Sequence, residues 1–236
     1  MRADPDAATL YRTHIEGFDE ALDGGIPQGH VVLVSGSPGT MKSSIGYYML
    51  FMNATQGGIP GAYITLEQSR ESLLFQMTRL GLKGAPERRL QVVDLAAIRK
   101  NVGVEDDGSW LEILKRYITH LRSAYKVELL VIDSLQAMKV LGSMDESRSG
   151  MFRFMEWLRE LGTTAIILDE VAGAGRLDPG VEDYLSDGII YLSLVKVGRF
   201  DFHRRIRCLK MRGMHHIMSY YSLDFKGGRF MATPPI

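Results

Sequence analysis

The stretch "HVVLVSGSPGTMKSS", residues 30–44, decides the fold of this protein. Its first six residues form a nearly continuous apolar run, which is typical of a strand buried on both faces of a parallel sheet. Residues 36–44 then nearly match the phosphate-binding loop G-x-x-x-x-G-K-[S/T]. Because the loop follows a strand and opens a helix, its backbone N–H groups are expected to point into a concavity that binds phosphate.

The loop residues are therefore the candidate phosphate-binding set. Lys42 supplies a mobile positive charge for the terminal phosphates, and the Ser43 hydroxyl is placed to ligate Mg²⁺. An ordinary glycine turn between a strand and a helix is the alternative. The set comprises Gly36, Ser37, Pro38, Gly39, Thr40, Met41, Lys42, Ser43 and Ser44.

Met41 stands where the motif has its second glycine. If the backbone there has positive φ, a side chain costs about 1 kcal/mol. If residue 41 already has the dihedral angles of a first helical turn, methionine costs little because it is a good helix former. The N–H donor is retained in either case, and the side chain must point away from the phosphates.

Length and composition describe an ordinary globular protein. We expect the 236 residues to form one domain, 1–236, since the chain has no linker or low-complexity tract. The formal net charge is zero, so no global charge favours nucleic acid or an anionic membrane. The single cysteine, Cys208, excludes a disulfide within the chain and a cysteine metal cage. With no run of 18 apolar residues and no apolar signal segment, the expected location is the cytoplasm.

Strand-like and helix-like segments alternate through most of the chain. The predicted strands are 30–35, 62–66, 90–95, 127–133 and 164–170. The predicted helices are 43–57, 69–82, 109–125 and 147–162, and residues 100–108 form a polar loop. This alternation predicts an α/β fold with a mostly parallel sheet and helices on both faces. After residue 188, four alternating segments predict a C-terminal extension of antiparallel β-hairpins.

Two carboxylates follow predicted parallel strands, at the edge where open α/β sheets bind ligands. Asp133 ends "LLVID" and could hold Mg²⁺ through water, opposite Ser43. Glu67 follows "YITL" and could orient or deprotonate an attacking water. The alternatives are a cap on the next helix for Asp133 and a favourable helix-dipole interaction for Glu67.

A basic stretch lies near the C-terminus, between residues 196 and 212, and includes one acid, Asp201. Lys210 and Arg212 are two residues apart, so they share one face of a strand. Together they could reach a phosphate held by a neighbouring subunit, although a solvated strand face is an equally good interpretation. The seven cations are Lys196, Arg199, Arg204, Arg205, Arg207, Lys210 and Arg212.

Several longer motifs occur in a fixed order, and through them the chain resembles the KaiC-like branch of the RecA superfamily of ATPases. The resemblance covers nearly the whole chain and implies a RecA-like P-loop three-layer fold. It also implies homo-oligomeric rings, often hexamers, with ATP at the subunit seams. The motifs are "THIEGFDEALDGGIPQGHVVLVSGSPGTMKS", "YITLEQS", "LLVIDS", "VEDYLSDGIIYL" and "KMRGMHH".

The resemblance also implies roles for individual residues. Lys42, Ser43 and Asp133 would bind Mg·ATP, and Glu67 would be the catalytic carboxylate. Lys210 and Arg212 would act in trans on the ATP of the adjacent subunit. His216 would lie near that same nucleotide.

Three departures from the family pattern affect the expected activity. Gln68 replaces the second residue of a Glu-Glu pair, and Met41 replaces the loop glycine, so slow hydrolysis is expected. Asp183 and Tyr184 stand where KaiC has its Ser-Thr phosphorylation sites, so autokinase activity is not expected.

The leading prediction is a Mg²⁺-dependent ATPase. One alternative is an ATP-dependent assembly or signalling module with vestigial hydrolysis. A DNA-repair or recombination accessory is the other alternative, and the neutral charge argues against it.

Overall fold

A computed structural model describes residues 9–95, 97–98, 110–141, 148–171 and 180–234. The strands are β1 (Leu10–Tyr11), β2 (Ile26–Pro27), β3 (Val31–Gly36), β4 (Gly61–Thr65), β5 (Leu90–Asp94), β6 (Leu129–Asp133), β7 (Thr164–Glu170), β8 (Gly188–Val197), β9 (Asp201–Met211), β10 (Tyr221–Lys226) and β11 (Arg229–Thr233). The α-helices are α1 (Lys42–Met52), α2 (Arg70–Arg79), α3 (Trp110–Tyr125), α4 (Leu135–Leu141), α5 (Arg148–Glu160) and α6 (Val181–Leu185).

Nine of these strands form one sheet, in the order β11-β10-β9-β8-β3-β7-β6-β4-β5. Strands β8, β3, β7, β6, β4 and β5 are parallel, whereas β9, β10 and β11 extend the sheet by antiparallel pairing. The predicted α/β class, the mostly parallel sheet and the antiparallel C-terminal extension are confirmed. The antiparallel part begins one strand later than expected, because β8 pairs in parallel with β3.

The helices cover both faces of the sheet, and β3 shows why its sequence is apolar throughout. Val32 and Val34 contribute to a core cluster beneath α1 and α2. Val31 and Leu33 contribute to a second cluster beneath α3, α4 and α5. Successive side chains of a strand point to opposite faces, so a strand with helices on both sides must be apolar at every position.

The predicted element boundaries differ from the structure by a few residues. Helix α5 ends at Glu160 because Gly162 adopts positive φ (68°), a conformation that glycine allows. The predicted polar loop at 100–108 and the first predicted residues of two helices, 109 and 147, lie outside the described residues. The short β1–β2 pair and helices α4 and α6 were not predicted from the sequence. In the described part of the chain, no helix is both long and apolar enough to cross a membrane.

Strand register places the candidate residues at one edge of the sheet. Gly36, the last residue of β3, lies beside Glu170 on β7 and Leu192 on β8. Asp133, the last residue of β6, lies beside Thr65 at the end of β4. The carboxyl ends of four neighbouring strands therefore meet at this edge, where ligands of open α/β sheets bind.

Candidate functional site

The predicted phosphate loop connects β3 to α1 in a conformation that depends on two glycines. A Cβ atom at Gly36 would lie 2.7 Å from the carbonyl oxygen of Leu192, so a larger residue there would collide with β8. Gly39 has φ of 84°, in the left-handed region. The Thr40 hydroxyl donates to the carbonyl of Ser37 at 2.7 Å, which closes the loop before the helix begins at Lys42.

Met41 adopts the strained one of the two conformations considered from the sequence. Its φ and ψ are 70° and 30°, and it caps the N-terminus of α1. A side chain in this left-handed region costs about 1 kcal/mol relative to glycine. The Met41 carbonyl accepts the first helical hydrogen bond, from the N–H of Ile45 at 2.9 Å. Its half-buried side chain packs against the apolar cluster beneath α1, which partly offsets the strain.

Lys42 is a buried cation with weak charge compensation. The side chain is 9% exposed. Its Nζ donates to the carbonyls of Gly36 at 2.8 Å and Ser37 at 3.2 Å, and it lies 3.8 Å from the Glu170 carboxylate. Burying a charge is costly unless a close counter-charge accompanies it. An anion such as phosphate at the loop would supply that counter-charge, so these residues fit a phosphate group.

Ser43 and Asp133 are brought together as predicted. The Ser43 side chain lies close enough to Asp133 to interact with its carboxylate, and the hydroxyl of buried Tyr63 donates to Asp133 Oδ2 at 2.5 Å. Burial raises the pKa of Asp133, although the hydrogen bonds from Tyr63 and Ser43 lower it in part. Burial and the neighbouring Asp133 charge raise the pKa of Tyr63 well above its usual value, so Tyr63 remains a proton donor.

A hydroxyl beside a carboxylate is a donor set suited to Mg²⁺, which keeps several waters and takes its other ligands from phosphate. Within the described ranges, no three His, Cys, Asp or Glu side chains form a complete metal cage. The residues therefore fit a magnesium ion bound together with a nucleotide, and Ser43 and Asp133 are the residues that could hold it.

Glu67 lies two residues beyond the end of β4, at the same edge. Its side chain is exposed, and its carboxylate accepts a hydrogen bond from the hydroxyl of Ser134, the residue after Asp133. The neighbouring Gln68 bonds instead to Gln76 on α2 at 3.0 Å. Glu67 is thus anchored next to the candidate metal residues, while Gln68 is engaged with α2.

Two residues at this site were missed from the sequence. Glu170 ends β7 beside Gly36 and pairs with Lys42, as described above. The rule that identified Asp133, a carboxylate at the end of an apolar strand, applies equally to "TAIILDE" and could have found it. Arg204 on β9 donates from Nε to the carbonyl of Gly39 at 3.0 Å. The sequence placed Arg204 in the basic stretch but gave no reason to single it out.

Lys210 and Arg212 lie at the opposite edge of the sheet from the loop of their own chain. Gly188 of β8 pairs with Met211 on one side and with Val32, near the start of β3, on the other. The phosphate loop begins four residues later on β3, at Gly36. Neither cation is brought to the phosphate loop within one chain.

These two cations bind the end of helix α6. Lys210 Nζ donates to the carbonyls of Asp183 at 2.9 Å and Ser186 at 2.5 Å. Arg212 donates to Asp187 Oδ1 and to the carbonyl of Tyr184, both at 3.0 Å. Burial, followed by the charge of Arg212, lowers the pKa of Lys210.

The last predicted site residue, His216, lies in the loop after β9. Its Nδ1 is 3.4 Å from the carbonyl of Met214. The N–H of the next residue, Ile217, donates to the carbonyl of Ala21 at 2.9 Å, which anchors the loop to the N-terminal segment. His216 thus follows Lys210 and Arg212 in the same C-terminal region, apart from the loop residues and Asp133.

Comparison with known proteins gives a consistent family. The family model described as "ATPase: KaiC" matches residues 11–228. The circadian clock oscillator protein KaiC of Thermostichus vulcanus is 30% identical over 224 residues, which are 92% of this chain and 42% of that protein. KaiC of Rippkaea orientalis is 32% identical over 219 residues, which are 89% of this chain and 41% of that protein. The chain therefore spans less than half the length of these curated relatives.

A solved structure shows the same fold. The crystal structure of a KaiC-like protein from Pyrococcus horikoshii OT3 matches with a TM-score of 0.80 at 26% sequence identity. The match covers 96% of this chain and 100% of that one. The predicted RecA-type fold is confirmed.

Proposed function

Because the chain belongs to the KaiC family of ATPases, we propose that it binds Mg·ATP at the loop 36–44 and hydrolyses it slowly. The nucleotide would lie between subunits of a ring-shaped homo-oligomer. The observation that carries this proposal is the meeting of Lys42, Ser43, Asp133 and Glu67 at the carboxyl edge of the sheet.

Lys42 and the loop backbone bind the phosphates. The Lys42 ammonium group now contacts the Glu170 carboxylate and backbone carbonyls. On binding ATP it exchanges these contacts for the terminal phosphate oxygens. The N–H groups at the start of α1 add the favourable helix-terminus interaction. Ser43 and Asp133 hold a magnesium ion, which would neutralise charge on the phosphates.

Glu67 orients the attacking water. Its exposed carboxylate can reach a water molecule in the site, while the Ser134 hydroxyl fixes the side chain next to Asp133. Positioning and charge stabilisation supply most of the rate enhancement in phosphoryl transfer, so small displacements of this carboxylate reduce turnover.

The cations at the far edge of the sheet act on a neighbouring subunit. Lys210 and Arg212 cannot reach the phosphate loop of their own chain. A head-to-tail interface would place the edge that carries them against the carboxyl edge of the next subunit. There they would stabilise the charge that develops on the γ-phosphate, and His216 would lie beside the same nucleotide.

Slow turnover follows from two features of the chain. Met41 strains the loop backbone, and Gln68 offers no second carboxylate. Self-phosphorylation is not expected, since Asp183 and Tyr184 occupy the positions of the acceptor pair and Asp183 is buried.

The test is the Glu67→Gln variant, assayed for phosphate release at saturating Mg·ATP. Loss of the water-orienting carboxylate should reduce turnover by on the order of 10²-fold, while ATP affinity measured by calorimetry stays the same. The matched control is Glu71→Gln, the same change at an exposed position in the first turn of α2. Unchanged turnover in Glu67→Gln would exclude the assigned role.

A second function, nucleotide-dependent assembly without turnover, is favoured by the strain at Met41 and the engagement of Gln68 with Gln76. It predicts tight ATP binding and ATP-dependent oligomerisation with phosphate release at background. Sedimentation with and without ATP, together with the turnover assay, separates the two functions. If oligomerisation does not depend on nucleotide, this second function is excluded. The placement of ATP at the subunit seams would then also be wrong.

A further inference from the structure

The hydroxyl of Tyr63 lies inside the candidate metal site. Tyr63 is in the middle of β4 and is fully buried, as is most of the strand. Its hydroxyl donates to Asp133 Oδ2 at 2.5 Å and lies close to the side chain of Ser43. The hydroxyl therefore binds one of the two residues that could hold magnesium and lies beside the other.

Packing alone does not explain a tyrosine at this position. The ring lies among apolar neighbours and tilts against Tyr47, with 6.1 Å between ring centroids. A phenylalanine would fill the same space without a polar group to bury. Burying a hydroxyl costs free energy unless it finds a partner, and here the partner is the carboxylate of Asp133.

The bond to Tyr63 also restricts how Asp133 can act. Asp133 is 7% exposed, so it has few other ways to fix the orientation of its carboxylate. Because Oδ2 accepts from the phenol, Oδ1 is the carboxylate oxygen left to bind a metal. Partners that orient a metal ligand in this way commonly change metal affinity by 10–100-fold when they are removed.

We propose that Tyr63 is a positioning residue for magnesium, which sets the orientation of Asp133 by its buried hydrogen bond. Tyr63 itself does not touch the nucleotide and is not a catalytic residue. The inference rests on the proposed function, because it concerns the metal that accompanies ATP at the same site.

The test measures how nucleotide binding depends on Mg²⁺ in Tyr63→Phe. Binding of the non-hydrolysable analogue β,γ-imido-ATP is followed by calorimetry, first in EDTA and then at increasing Mg²⁺ concentration. The Mg²⁺ concentration that gives half of the metal-dependent effect should rise by roughly 10-fold or more, whereas binding in EDTA should not change.

Tyr11→Phe is the matched control. The Tyr11 hydroxyl also donates to a carboxylate, Glu128 Oε2 at 2.7 Å, and Tyr11 is also buried. Glu128 precedes β6, at the end of the sheet away from the site. This variant loses the same kind of hydrogen bond, so it should leave the Mg²⁺ dependence unchanged.

A second comparison tests the coupling directly and also guards against a general loss of stability. In an Asp133→Asn background, adding Tyr63→Phe should produce no further change in Mg²⁺ dependence, since the orienting bond acts through the carboxylate. Removing both partners also avoids leaving a buried charge without its hydrogen bond.

The outcomes are distinguishable. A wild-type Mg²⁺ dependence in Tyr63→Phe, or equal losses in both backgrounds, overturns the positioning role and leaves the proposed function intact. Loss of nucleotide binding in EDTA by Tyr63→Phe also overturns it, because the residue would then maintain the fold. If the wild-type protein itself binds no Mg·nucleotide, both proposals fail.

Discussion

Each of the two edges of the central sheet carries a cation expected to bind phosphate, but the two cations differ in how completely they are paired. At the carboxyl edge, Lys42 is buried with an incomplete set of charge partners, 3.8 Å from the Glu170 carboxylate. At the opposite edge, the Arg212 guanidinium is already paired with Asp187 at 3.0 Å and with a backbone carbonyl. One cation is poised for an added anion, while the other is satisfied by its own chain.

This difference shows that a sequence motif identifies a cation but does not tell whether that cation is already paired within its own chain. Lys42 and Arg212 each lie in a motif of the family, yet only the folded chain shows that Arg212 must leave Asp187 before it can meet a phosphate. A role in trans therefore includes the cost of breaking a partly exposed ion pair.

Replacing Arg212 by alanine should reduce ATP turnover by on the order of 10³-fold if the guanidinium serves the neighbouring subunit. ATP affinity of the isolated subunit should remain, because the cation lies far from its own loop. Turnover and calorimetric affinity are measured on the same preparation.

Mixing subunits gives the control for this prediction. Arg212→Ala retains Glu67, and Glu67→Gln retains Arg212, so seams in a mixed ring can combine the two intact residues. Recovered turnover on mixing supports action in trans. Two inactive variants that stay inactive when mixed, although they assemble together, would contradict it.

Asp187→Asn should destabilise the fold by about 2 kcal/mol, because this buried carboxylate joins two arginines and a backbone N–H. It accepts from Arg159 Nε at 2.9 Å, from Arg212 and from the N–H of Val31. Urea unfolding at neutral pH measures the loss. The exposed pair of Glu112 and Lys115 provides the control, since Glu112→Gln should cost less than about 0.5 kcal/mol.

The same residue predicts a pH dependence. Burial alone would raise the pKa of Asp187, but the hydrogen bonds from Arg159, the Val31 N–H and Arg212, together with the charge of Arg159, outweigh it and lower the pKa below its usual value. The lowered value means that Asp187 stabilises the fold above its unfolded pKa and that this contribution disappears as the pH falls through the folded pKa. The stability difference between wild type and Asp187→Asn should therefore shrink below about pH 4. A difference that is constant down to pH 2 would contradict the assignment.

The smallest effect is expected at Met41. Met41→Gly and Met41→Ala both remove the contacts of the long side chain, but only glycine relieves the positive φ of 70°. The glycine variant should therefore be more stable than the alanine variant by about 1 kcal/mol in urea unfolding. Equal stabilities would mean that the loop backbone relaxes at this position.

Much of the site at the carboxyl edge could be predicted, because short stretches of neighbouring residues identify it. The apolar run of β3 followed by a glycine-rich loop identified Lys42 and Ser43, and a carboxylate after an apolar strand identified Asp133. Arg204 could not be predicted, since it reaches the carbonyl of Gly39 across 165 positions of the chain. Helix α6 was missed because five residues are too few to show a helical period.

The sequence by itself determined the order of the longer strands and helices, the loop and the family, because strand alternation and the glycine-rich turn depend on neighbouring residues. Only the tertiary structure decided the conformation of Met41, the bond between Tyr63 and Asp133, and the position of Lys210 and Arg212 at the far edge. These features depend on which strands pair and in what register. Register is a property of the whole sheet, set by packing between segments that are distant along the chain.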